Sequence, residues 1–301
     1  MKNNLSNIKK ATKYLNNNEC IGIPTETVYG LAANAYSNKA TLKIFNLKKR
    51  PKKNPLIVHY YSLGDLKKDC LIDLNFLKLY KKFCPGPITF ILNLKKDSQI
   101  SKIATNMKNT LAVRFPKHAL TRRLLSKLNY PLAAPSANLS SKVSSVCASD
   151  VKEDFGKKIK YILEGGRSSI GVESTIIDLR KKPKILRLGG LQIPTIQKLL
   201  KKKISTKNYP LKITAPGQSK VHYSPGMPIK LNVKKVNDNV AFVLIKKKKE
   251  NKANHFFLSK KGNLKEAAKN LYRTLRLIKK RNFKSIAVEK IPNIGFGEVI
   301  N

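Results

Sequence analysis

Short runs rich in β-branched, aromatic and leucine residues recur through the first 180 residues, at 20–24, 56–61, 88–94, 111–115, 131–134, 161–163 and 175–179. Each has the length of a strand rather than of a helix. Between several of them, apolar residues fall at helical spacing. Ile8, Ala11, Thr12 and Leu15 predict a helix over 6–17, and Ala40, Ile44 and Phe45 predict another over 37–48, with Ser37 as its N-cap. Further helical patterns occupy 73–83 and 120–128. Strands interleaved with helices call for α/β layers around a mixed sheet.

The pattern changes near Lys201, Lys202 and Lys203. Residues 204–228 contain four prolines and two glycines and little periodicity, which reads as a linker or an ordered arm. Beyond it come strands at 240–245 and 255–258. A long helix follows, with Leu264, Ala267, Ala268, Leu271, Leu275 and Ile278 on one face, and a final strand occupies 285–288. Asn263 with Glu266 resembles a capping box. The chain therefore divides into a domain at 1–203, an arm at 204–228 and a small, reduced α/β domain at 229–301. The terminal Gly295-x-Gly297 is not a dinucleotide fingerprint, because a third glycine and a following helix are missing from the expected pattern.

Composition restricts function less than it first suggests. Among 301 residues, 62 Lys and Arg oppose 17 Asp and Glu, giving a formal charge of +45, which excludes an acidic solvating protein. Only 10 of the cations are Arg, and Asn and Ile are also abundant. A preference for A/T-rich codons accounts for that bias as well as a polyanion-binding surface does. No run of about 20 apolar residues is present, so a spanning helix is excluded. Cys20, Cys70, Cys84 and Cys147 lack metal-ligand spacing and read as reduced thiols of a cytoplasmic protein.

Four segments carry polar groups at strand ends. Pro24–Gly30 contains Thr25, Glu26, Thr27 and Tyr29; a cationic cluster at Lys48, Lys49, Arg50, Lys52 and Lys53 runs through Asn54 into a strand ending on His59. Ser136 and Asn138 follow the apolar run 132–134, and Gly171–Ile176 precedes Arg187 with its Gly189-Gly190 pair. Hydroxyls and amides at a sheet's carboxyl edge suit a ligand, while each segment alone is equally a capped turn or a dipole-favoured helix end.

Taken together, in this order, they resemble the threonylcarbamoyl-AMP synthase family with its YrdC-like catalytic domain. The resemblance rests on the Lys48-x-Arg50 and Ser136-x-Asn138 signatures, Pro24–Gly30, Gly86-Pro87-Ile88-Thr89 and Gly171–Ile176. It covers roughly 8–203 and continues through 215–226, which looks like the linker of the family's two-domain members. Ala32 and Leu188 depart from the family pattern, where Gly and Pro are usual.

The resemblance implies a twisted mixed sheet with helices and a Rossmann-like C-terminal domain. It implies an enzyme that condenses L-threonine, bicarbonate and ATP, with Mg²⁺, into threonylcarbamoyl-adenylate and pyrophosphate. The product would go to a separate tRNA threonylcarbamoyl transferase complex; tRNA itself is a further implied partner, and no membrane is. By matching position, Thr27, His59, Arg114, Ala134 and Ser174 would contact threonine. Arg50, Asn54, Thr110, Ser136, Asn138, Ser144 and Arg187 would contact ATP, with Lys48, Arg50 and His59 at the reaction centre and Tyr223 in a lid. No metal-binding side chains and no protein nucleophile are implied, since the carbamate itself attacks. Two rival readings are a non-enzymatic basic RNA-binding protein and a carbamoyltransferase of the hydrogenase-maturation type. The first lacks an RRM or KH signature; the second lacks an acylphosphatase-like segment and Cys-rich zinc modules.

Overall fold

A computed structural model describes residues 2–205, 223–247 and 252–301. Eight strands form the first sheet: β1 (Ile21–Ile23), β2 (Gly30–Asn34), β3 (Ile57–His59), β4 (Ile88–Asn93), β5 (Thr110–Arg114), β6 (Leu132–Ala133), β7 (Thr175–Asp178) and β8 (Lys184–Arg187). Their order is β1-β2-β6-β3-β5-β4-β7-β8, with β3/β5 and β4/β7 parallel and the other pairs antiparallel. The sheet is mixed, as the sequence leads one to expect.

Alternation along the strands explains the near-continuous apolar runs, because both faces are buried. Val58, Phe90, Leu92, Leu111, Val113, Ile177 and Ile185 enter the main core. Ile57, Ile91, Ala112, Ile176 and Leu186 form an apolar row on the opposite face of β3, β4, β5, β7 and β8. The Leu74–Phe83 helix packs on the core side, where Phe76 meets Phe90 edge-on at 4.9 Å and Tyr80 meets Phe115 at 4.9 Å. Such aromatic pairs contribute about 0.5–1.5 kcal/mol beyond the area they bury. Ser37 caps the Asn38–Lys48 helix by accepting from Ala40 N at 3.1 Å.

Two local expectations change. Residues 161–163 form no strand; they make a single bridge, Gly22 to Ile162, beside the three-residue β1. Conversely, the Gly-Leu-Ala-Ala-Asn stretch of β2 has no β-branched residue to mark it, and burial between β1 and β6 makes it a strand.

The second sheet is wholly parallel: β9 (Ile229–Lys230), β10 (Val240–Lys246), β11 (His255–Ser259) and β12 (Ser285–Val288), in the order β11-β10-β12-β9. The Leu264–Lys279 helix crosses from β11 to β12 and buries Ala267, Tyr272, Leu275 and Ile278 against Ala241, Val243 and Ile286. Half of the expected capping box forms. Asn263 Oδ1 accepts from Glu266 N at 3.0 Å, but the Glu266 carboxylate accepts from Ser259 Oγ at 2.7 Å, and that hydroxyl takes the Asn263 N–H. A short helix, Phe296–Ile300, does follow Gly295, contrary to expectation. No helix among the described residues is long and apolar enough to cross a membrane.

The two sheets are joined through the Leu264–Lys279 helix. Arg276, 7% exposed, donates to Val143 O at 2.7 Å and Ser145 Oγ at 3.1 Å and pairs with Asp154 at 2.5 Å. Arg167 donates to Lys269 O and Asn270 Oδ1. Gly171, at φ +78°, lies so close to the helix that a Cβ would meet Lys269 O at 2.3 Å. Val28, Val143 and Val146 complete the C-terminal core. Of the expected arm, 206–222 falls outside the described residues; at its far end Ser224 N donates to Ser141 O at 2.8 Å.

Removing one partner of a buried ion pair leaves the other charge uncompensated. Arg276→Ala should therefore lower the unfolding free energy by about 3–5 kcal/mol. Chemical denaturation of the variant checks this, and an unshifted midpoint would show that the pair does not join the domains.

Candidate active site

The parallel register of β3 and β5 sets His59 beside Arg114 at the carboxyl ends of both strands. β4 runs the other way and places Thr89 opposite Arg114. Ser174 enters at the start of β7, Arg187 leaves at the end of β8, and Ala134 follows β6. The 24–30 loop closes one side. Of the residues expected from sequence, Thr27, Arg50, His59, Arg114, Ala134, Ser136, Ser174, Arg187 and Tyr223 line one cavity.

Arg114 is held from behind. Its guanidinium pairs with Glu26 at 2.8 Å, both side chains 7% exposed or less, and the second Glu26 oxygen accepts from Lys117 N at 3.0 Å. Buried polar atoms are nearly always paired, yet Arg114 Nε and His59 Nδ1 have no hydrogen-bond partner. Both belong to residues of the cavity wall, which fits a polar ligand supplying the missing bonds. Burial and the charge of Arg114 push the His59 imidazolium well below its usual range, so the ring is neutral.

Arg50 and Arg187 form a second cationic pair. Arg50 donates to Asn54 O and Pro55 O at 3.0 Å each, which fixes its fork. Burial and the nearby charge of Arg187 lower its pKa to about 10. Arg187 donates to Ser174 O at 2.9 and 3.1 Å and to Ser174 Oγ at 3.1 Å, while Ser174 Oγ bonds Thr89 Oγ1 at 2.7 Å. Two guanidiniums brought together against their mutual repulsion make an anion site.

Five expected residues lie outside the lining. Lys48 is buried behind it, its Nζ donating to Ser136 O and Asn138 O, and burial with the Arg50 charge pushes the ammonium well below its usual value. It therefore holds the 136–138 loop rather than meeting the cavity. Asn138 braces that loop through Leu139 O and Lys142 O, each at 2.8 Å. Asn54 stands behind Arg50, with its buried Oδ1 unpartnered. Ser144 is fully buried and donates to Glu173 at 2.5 Å. Thr110 begins β5, four residues and about 13 Å along the strand from Arg114, on the same face.

Sequence reasoning assigned no role to Glu26, Glu173, Thr25 or Tyr29. Thr25 bonds Thr27 Oγ1 at 2.9 Å, and Tyr29 OH donates to Gly166 O at 2.7 Å, so both shape the loop carrying Thr27. Glu173 lines the cavity and also accepts from Tyr272 OH at 2.5 Å. All four lie inside segments already marked as chemical, but their partners are up to 137 positions away.

Comparison with known proteins gives a consistent picture. A family model described as telomere recombination (Sua5/YciO/YrdC) matches residues 13–189, and one described as the C-terminal domain of threonylcarbamoyl-AMP synthase matches 191–301. The chain is 34% identical to the threonylcarbamoyl-AMP synthase of Pyrococcus abyssi, over 96% of this chain and 90% of that one. It is 38% identical to the Bacillus subtilis enzyme of the same name, over 74% of this chain and 65% of that one. The crystal structure of P. abyssi Sua5 complexed with L-threonine superposes with a TM-score of 0.89 at 32% identity, covering 97% of this chain and 91% of that chain.

A neutral buried His59 has a pH consequence. Its folded pKa is depressed, so its stabilising contribution is full above 6.5, the ordinary histidine value, and is lost as pH falls toward the folded value. Its ring resonances should not move in NMR spectra as the pH passes down through 6.5. A normal titration there would overturn the buried-neutral state.

Proposed function

The chain belongs to the Sua5/YrdC family of threonylcarbamoyl-AMP synthases, and we infer that it condenses L-threonine, bicarbonate and ATP into threonylcarbamoyl-adenylate and pyrophosphate. The observation that carries this is the pairing, in one cavity, of an Arg114–His59 end with an Arg50–Arg187 end, in a chain that matches a threonine-bound relative over nearly its whole length.

Arg114 suits the threonine carboxylate, since its fork matches two oxygens and Glu26 holds it in place. Thr27 and Ser174 bound the amino-acid pocket, and Ala134 leaves it room. The threonine amine combines with bicarbonate, losing water, to a carbamate; neutral His59 can take a hydrogen bond or a proton from that amine. A carbamate oxygen attacks the α-phosphorus of ATP, the bond to the β-phosphate oxygen breaks, and pyrophosphate leaves. No protein nucleophile is needed; alignment and neutralisation of charge are, and Arg50 and Arg187 supply the charge. Lys48 acts by pinning the 136–138 loop, with Asn138, so that Ser136 faces the nucleotide. Asn54 behind Arg50 and Ser144 on Glu173 support the ATP side from behind the lining, and Thr110 lies further along β5. Magnesium would arrive with ATP and neutralise the phosphates. Among the described residues no three His, Cys, Asp or Glu side chains gather for a metal, so the phosphates and water would supply most of its ligands, with Glu173 the carboxylate of the cavity lining nearest to hand.

In this reading residues 1–203 carry the chemistry and 204–228 form an arm whose Tyr223 covers the cavity and protects a mixed anhydride from water. The product passes in the cytoplasm to a separate complex that modifies tRNA, and the +45 charge suits a neighbourhood of RNA.

Purified protein with ATP and Mg²⁺ should release pyrophosphate only when threonine and bicarbonate are both present; equal release without threonine would overturn the assignment. Arg50→Ala should raise the KM for ATP, and Arg114→Ala the KM for threonine, each about tenfold to a hundredfold, the range for a lost charge-assisted contact. Steady-state kinetics of the two variants decide it, and Glu26→Ala should reproduce the threonine defect in milder form.

A further inference from the structure

The segments that meet at Glu173 come from both domains. Glu173 itself precedes β7 and lines the cavity. One of its oxygens accepts from Ser144 Oγ and the other from Tyr272 OH, both at 2.5 Å. Tyr272 belongs to the Leu264–Lys279 helix of the C-terminal domain, and its ring stacks on Tyr223, centroids 5.4 Å apart and planes 23° apart. Ser144, Glu173 and Tyr272 are 0%, 7% and 4% exposed.

The same helix grips both flanks of this joint. Lys269, Tyr272 and Arg276 fall three and four positions apart, on one helical face. The Lys269 carbonyl abuts Gly171, and Arg276 binds Val143 O and Ser145 Oγ on either side of Ser144. A single stripe of the C-terminal helix thus contacts the backbone before Glu173, the Glu173 carboxylate and the loop that carries its other donor. Burial and the charge of Glu173 keep the Tyr272 phenol well above its ordinary pKa, so its proton stays available to donate.

We propose that Tyr272 is a positioning residue for nucleotide binding: it holds the Glu173 carboxylate in the cavity wall, and through it the C-terminal domain completes the ATP side of the catalytic domain. With both oxygens bound to O–H donors, the carboxylate is held in the cavity wall, where the phosphates would pass. Tyr223 also bonds this carboxylate and the Tyr272 hydroxyl, so loss of the Tyr272 hydroxyl removes one of three supports and leaves the carboxylate freer to turn into the cavity and repel the triphosphate. This rests on the reaction assigned above.

The test is calorimetric titration of MgATP into the full chain. Tyr272→Phe keeps the stacked ring and loses only the hydroxyl, and should bind MgATP about tenfold more weakly. In a Glu173→Gln background the same substitution should change affinity by less than about twofold, because its route to the nucleotide is already cut. The KM for threonine should not move. Ser144→Ala, which removes the donor on the other oxygen, should weaken MgATP by a similar factor and provides the comparison if Tyr272→Phe does not fold. Unchanged MgATP affinity in both Tyr272→Phe and Ser144→Ala, or equal losses with and without Glu173, would make Tyr272 a packing residue and overturn the proposal. A wild-type chain that binds MgATP but releases no pyrophosphate would overturn the reaction instead, with the two-background comparison still deciding the role of Tyr272. A wild-type chain that binds no MgATP would overturn both.

Discussion

The buried ammonium of Lys48 is the constraint on which the rest of the site depends. A cation removed from water is costly unless its donors are satisfied, and here two main-chain carbonyls, of Ser136 and Asn138, receive it. The last turn of the Asn38–Lys48 helix is thereby tied to the loop after β6. That tie brings Arg50, two residues on, into the cavity that Ser136 also lines. The Lys-x-Arg and Ser-x-Asn signatures are one structural unit joined through a single side chain. Its amino group acts by being placed, not by touching a ligand.

Around that unit the cavity separates two kinds of positive charge. Arg114 is compensated by Glu26 and faces a neutral imidazole, an environment for one carboxylate. Arg50 and Arg187 oppose each other with their forks anchored on main-chain oxygens, an environment for several phosphate oxygens. The parallel pairing of β3 with β5 and the antiparallel pairing of β5 with β4 bring these ends close together. A reaction between an amino-acid-derived carbamate and an α-phosphate needs that closeness more than it needs a catalytic nucleophile.

The C-terminal domain is more than an appendage in this arrangement. Its parallel sheet supports one long helix, and that helix inserts a guanidinium and a phenol between the loops of the catalytic sheet. Gly171 has no side chain because the helix backbone occupies the space a Cβ would need.

By itself the sequence determined the α/β class, the two-part division, most strand positions and the segments that carry chemistry, because hydrophobic period, caps and polar strand ends are local signals. Through the family resemblance it also marked nine side chains that meet in the cavity, among them Arg50, Arg114 and Arg187. Tertiary structure decided the rest. β2 is a strand because of its neighbours, not its residues. Lys48 and Ser144, chosen for chemistry, stand one layer behind the cavity, while Glu26 and Glu173 stand within or beside it. Which carboxylate meets which cation or hydroxyl depends on contacts between residues about 30 to 100 positions apart. Only the strand register and the docking of the C-terminal helix bring those residues together, and neither leaves a trace in local spacing.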